Sequence, residues 1–168
     1  MTISKTDRTG NLELALRLML ENIPADRPFE WEEFDGDLEP FKTILPTTWV
    51  ALSRRGFVND HSFNRYQLTP DGWIAALRAA GDFRSAQMLE KAGRLSAALK
   101  RHVKGRHEMG GTTRQELATD SGLDEAFVYN AIDSHLLREL FGTVDASWAP
   151  DDQMKNYIDI PLDFGHEI

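Results

Sequence analysis

The 168-residue chain contains no cysteine. That excludes disulfide staples and thiolate metal sites, and it fits a reducing, cytoplasmic location. Long apolar runs are missing too: none approaches the roughly 18 residues of a membrane span, so no membrane association is expected. Residues 1–10 lack the apolar core of a secretory signal. Enzyme signatures are likewise absent. There is no Gly-x-Ser-x-Gly elbow and no dinucleotide fingerprint, and the glycine-rich stretch 105–111 lacks the Gly-Lys-[Ser/Thr] of a phosphate loop. The histidines His61, His102, His107, His135 and His166 do not fall at His-x-x-x-His spacing. Asp35 and Asp37 lack the order of a calcium loop and read as a solvated acidic face. These gaps leave no catalytic residue, no metal site and no cofactor to name, and the expectation is a protein that is not an enzyme.

What is present suits a folded chain: 41% hydrophobic residues and four tryptophans. Net charge is −8, and its distribution is uneven. Residues 1–81 hold 9 basic and 12 acidic side chains, residues 82–111 hold 7 and 3, and residues 112–168 hold 3 and 12. A basic centre thus lies between acidic flanks, and the last third should repel phosphate.

Hydrophobic periodicity organises the chain into short helices with small hairpins between them. Leu12, Ala15, Leu16, Met19, Leu20 and Ile23 recur at helical spacing, and Pro24 ends that helix. Trp31, Phe34, Leu38, Phe41 and Leu45 form a second stripe, weakened by Gly36 and Pro40. Pro46 opens a short helix through Arg55 with Trp49 and Leu52 inward. A helix over 70–80 ends at Gly81. Asp82 then begins a basic helical region that Gly93 divides in two, followed by a loop over 105–111. Thr113-x-x-Glu116 is a capping box. Ser121-Gly122 makes a turn, and Asp124 caps a helix bearing Phe127, Val128, Ala131, Ile132 and Leu136. Residues 140–144 and 157–160 are the expected strands of a second hairpin, with Trp148 in its long acidic tip. The tail after Tyr157 reads as an edge strand and an apolar tether.

The run Arg54-Arg55-Gly56-Phe57-Val58 through Tyr66-Gln67-Leu68-Thr69-Pro70-Asp71-Gly72-Trp73 carries the strongest pattern. It spells helix, strand, polar turn, strand, capped helix. Over residues 47–77 it resembles the winged-helix repressors of the multiple-antibiotic-resistance type. The segment Thr-x-x-Glu-Leu-Ala-x-x-Ser-Gly-Leu over 113–123 is similar to a bacterial helix-turn-helix. The expected fold is mainly α with small β-hairpins, as two tandem winged-helix domains over 1–81 and 82–168.

The resemblance implies a DNA-binding transcriptional regulator, acting as a homodimer. On the first reading helix Thr47, Thr48, Ser53, Arg54 and Arg55 would face DNA, with His61, Asn64 and Arg65 on the wing. Lys100, Arg101, Lys104 and Arg106 would hold phosphate; His102 and His107 lie in the same cluster, and a solvated helix end explains it equally well. The second reading helix carries Asp124, Glu125, Asp133 and Glu139 against Arg138 alone. A protein partner at Tyr129, Asn130 and Asp133 fits that charge better than a duplex. The competing function is an interaction module without DNA reading, like the kleisin-interacting tandem winged-helix proteins of chromosome-organising complexes.

Overall fold

The computed structural model describes residues 10–22, 29–30, 43–60, 65–103, 110–152 and 155–168. The chain divides into two compact units, Met1–Phe83 and Arg84–Ile168, parting two residues beyond the Gly81–Asp82 junction marked by the charge swing. Among the described residues there are seven helices and two small antiparallel sheets.

In the first unit α1 (Leu12–Asn22) buries Ala15, Leu16 and Met19, the apolar stripe that its spacing foretells. The side-chain oxygen of Asn11 accepts from the backbone N–H groups of Glu13 and Leu14 at 3.0 and 3.2 Å and caps the first turn. The apolar stripe over 31–41 and Pro24 lie outside the described residues. Helix α2 (Pro46–Arg54) starts on a proline, whose missing N–H is one that a first turn leaves unpaired anyway. Strands β1 (Phe29–Glu30), β2 (Val58–Asp60) and β3 (Arg65–Leu68) form one sheet in the order β1-β3-β2. Val58 lies opposite Leu68, and Phe29 opposite Tyr66. Leu52, Val58, Ile44 and Ala76 close the core with the α1 stripe, and Trp49, Phe57, Tyr66 and Leu68 pack against it half-buried. Trp73 is buried as well.

Helix α3 (Pro70–Ala79) is tied to the sheet at its start. The Thr69 hydroxyl accepts from the Gly72 N–H at 3.0 Å and donates to the Gly56 carbonyl. The Thr69 N–H donates to the Phe57 carbonyl at 3.0 Å. A Cβ on Gly72 would stand 1.9 Å from that same Phe57 oxygen. Only glycine lets the helix approach the strand this closely.

In the second unit α4 (Ala86–Val103) is one helix of 18 residues. Gly93 does not divide it, because Met88, Ala92, Leu95 and Leu99 on either side share one buried face. Ser85, not Asp82, caps its start, accepting from the Met88 N–H at 3.1 Å. Strand β4 (Gly110–Thr113) begins on Gly110 and Gly111, the last two residues of the loop expected over 105–111. Its glycines admit close neighbours, since a Cβ on Gly111 would lie 2.0 Å from the Tyr157 hydroxyl. The capping box closes as the spacing predicts: in α5 (Arg114–Ser121) Thr113 accepts from Glu116 N–H and the Glu116 carboxylate reaches back.

Helix α6 (Glu125–Asp133) has Asp124 at its N-cap position, but that side chain makes no cap bond. The helix stops before Leu136, because His135 takes a left-handed conformation at φ 53° and a new helix α7 (Leu136–Phe141) begins. Leu140 and Phe141 therefore belong to a helix and not to a wing strand. The second sheet comprises β4, β5 (Ser147–Trp148) and β6 (Tyr157–Ile160), ordered β4-β6-β5. β6 is its central strand and not an edge. Ile158 and Ile160 alternate inward at 0% exposure, and the strand is paired on both sides. After Pro161 the tail turns back, with Phe164 buried and Val144 N–H bonded to the His166 carbonyl. Each unit thus pairs its first strand with its third and its third with its second.

Candidate functional site

Helix α2 presents Thr47, Ser53, Arg54 and Arg55 to solvent, together with Val50, which is 51% exposed. Thr48 does not join them. It lies one turn before Leu52 on the inward face and is 3% exposed, with no hydrogen-bond partner for its hydroxyl among the described residues. Arg65 sits in β3 opposite Glu30. His61, Asn64, Lys104 and Arg106 lie outside the described residues, as does His107.

The basic face of α4 is largely engaged inside its own unit. Arg94 donates to the carbonyls of Ser121 and Gly122 at 3.0 and 2.8 Å, and Arg101 donates to the Asp120 carbonyl at 3.0 Å. These are the orphan carbonyls at the C-terminus of α5, where positive charge is favourable. His102 adds a 2.9 Å contact from Nε2 to the Asp120 carboxylate. Lys100 is exposed and makes no ion pair among the described residues.

The outward face of α6 is closed by the hairpin that follows it. Glu125, Tyr129 and Asp133 stand one turn apart. The Tyr129 ring centroid lies 5.6 Å from that of Trp148 on β5. The Arg114 guanidinium and the Lys155 ammonium approach the Tyr129 ring at 5.6 and 5.4 Å. Lys155 also binds the Asp133 carboxylate at 2.5 Å, and Arg114 faces Glu125 at 3.6 Å. Burial disfavours the charge on Lys155, but the Asp133 carboxylate outweighs it and holds the pKa above the ordinary value. Asn130, expected outward, is 7% exposed: it turns about 100° from Tyr129 and lies inward beside Ala131. Tyr129 and Asp133 are half-buried. Sequence reasoning missed Arg114 and Lys155, which are distant in the chain. The one local signal was a tryptophan in an acidic tip.

The same unit buries a further pair of titratable groups. The Asp145 side chain is 2% exposed, and burial pushes its carboxyl up to about 7, although the Ala146 N–H donates to Oδ1 at 2.7 Å; Oδ2 has no hydrogen-bond partner among the described residues. His135 Nδ1 is 3.8 Å away, and burial followed by Arg138 lowers its pKa. Both shifts favour the neutral forms, so the pair is not a salt bridge near neutral pH. Among the described residues no group of three or more acidic or histidine side chains could hold a metal ion, and no helix is long and apolar enough to cross a membrane. Comparison of the chain with protein-family models, curated proteins and solved structures gave no match.

Proposed function

We propose that this is a tandem winged-helix, DNA-binding protein of the cytoplasm, in which the first unit contacts the duplex and the second is a protein-binding unit. Support for the fold comes from the order shared by the two sheets and from a helix running into a hairpin at 46–68. The observation that carries the functional reading is the open outer face of α2. Thr47, Ser53, Arg54 and Arg55 are exposed along it, and Val50 offers an apolar contact of the kind that meets a thymine methyl. The corresponding face of α6 is filled by Trp148, Arg114 and Lys155 and leaves no comparable row of free donors. A transcriptional regulator is the role that suits such a chain. Fluorescence anisotropy with genomic fragments at low and moderate salt tests it: the wild type should bind and an Arg54→Ala, Arg55→Ala variant should bind more weakly. Equal binding by both proteins would remove α2 from the interface.

The second reading is an interaction module that does not touch DNA. The net charge of −8 and the closure of α6 favour it. No binding of the wild type at low salt, where phosphate contacts are strongest, would make it the better one.

A further inference from the structure

The exposed face of α4 carries a glycine that the fold itself does not use. Gly93 lies in the middle of the 18-residue helix, and a Cβ built on it would meet nothing within 4 Å. A glycine there weakens the helix relative to alanine, and no close approach among the described residues requires it. Around it Ala86, Glu90, Gly93, Ala97 and Lys100 are all exposed, spaced four, three, four and three apart. That is the seam along which one helix lies against another. Leu89 and Phe141 flank the seam at 39% and 43% exposure. Gly93, Ser96 and Ala97 form the floor of a groove whose other side is Phe141, Thr143 and Gly165.

We propose that α4 pairs antiparallel with α4 of a second copy of this chain, crossing midway between Gly93 and Ala97. The charges on the seam decide the occupant and the direction. An antiparallel two-fold pairing about residue 95 sets Gly93 against Ala97 and Glu90 against Lys100, each twice. A parallel pairing would set Glu90 against Glu90 and Lys100 against Lys100. Lys100 makes no ion pair among the described residues. Glu90 has only a 3.5 Å surface contact with Arg94, at 58% side-chain exposure, and the Arg94 guanidinium is already bonded to the Ser121 and Gly122 carbonyls. The seam is therefore complementary to itself, and its small residues allow the two backbones to come close. None of this depends on nucleic-acid binding.

Sedimentation velocity of the full chain over a range of concentrations tests the pairing. The wild type should show a concentration-dependent dimer. Gly93→Leu, whose Cβ has open space in the monomer, should melt no lower than the wild type and weaken dimerisation by at least about tenfold. Glu90→Lys and Lys100→Glu should each weaken it by a similar factor, and the Glu90→Lys, Lys100→Glu double variant should recover it. A wild type that stays monomeric at every concentration overturns the proposal. So does a Gly93→Leu variant that dimerises as tightly as the wild type, or a double variant no better than the singles.

Discussion

Asp145 carries a carboxyl whose ordinary value of 3.8 is raised to about 7 by burial. A raised carboxyl binds its proton more tightly in the folded state than in the unfolded one. Stability is then greatest below the unfolded value and falls as pH rises from 3.8 towards about 7, after which it levels off. His135 acts with the opposite sign, since a lowered pKa costs stability as pH falls below 6.5. Asp145→Asn keeps an oxygen to accept the Ala146 N–H and removes the titration. Urea denaturation over a pH series should show the variant gaining on the wild type by on the order of 1 kcal/mol per pH unit between pH 4 and 7. Parallel curves for the two proteins would mean that the Asp145 carboxyl is not shifted. Leu52 gives a simpler test. It is fully buried in the first unit, and Leu52→Ala should lose about 2–5 kcal/mol. Unchanged melting would displace α2 from that core.

The junction between β3 and α3 shows why a short motif can be legible. In Leu68-Thr69-Pro70-Asp71-Gly72 the threonine caps the helix, the proline fills a position with no hydrogen bond to lose, and the glycine clears the Phe57 carbonyl. All three demands are local, so the residues announce the element. Gly72→Ala should cost about 1–3 kcal/mol or more, because the added carbon meets rigid backbone rather than a mobile side chain. Thr69→Ala should cost about 1 kcal/mol. The double variant should lose less than the sum of the two, because both changes loosen one junction; additive losses in thermal denaturation would show two independent contacts. The capping box at Thr113 and the hairpin near residues 58–68 were readable for the same reason. The break at His135 was not, because a left-handed conformation at a residue other than glycine is uncommon and no glycine marks it in the sequence. Nor was β4, whose glycines are poor strand formers and owe their conformation to residues 157–160. The closure of α6 by Trp148 and Lys155 was hidden likewise, since it depends on chain folding back rather than on neighbours in sequence. Thr48 and Asn130 show the remaining error: polar residues read as outward because they are polar, although helical phase places both with the core.

At the scale of the whole chain, charge limits what any DNA surface can do. The net charge is −8, and residues 112–168 hold 12 of the 27 acidic side chains. A field of that sign opposes the approach of a duplex, so under the proposed reading short-range contacts on α2 would have to supply both affinity and orientation. If the first unit is the reader, acidic residues of the second act on DNA only through this field. Glu125→Lys with Asp133→Lys changes the net charge by four units, from −8 to −4. It also deprives Arg114 and Lys155 of their partners and loosens the contacts around Tyr129. Non-specific DNA affinity should rise, sequence preference should stay as in the wild type, and capture of a protein partner by the second unit should weaken. Competition binding with specific and random duplexes separates these effects, because a change in the field alters both affinities together while a change in base contacts alters their ratio. Loss of the ratio with partner capture intact would reverse the roles of the units and place DNA reading in the second.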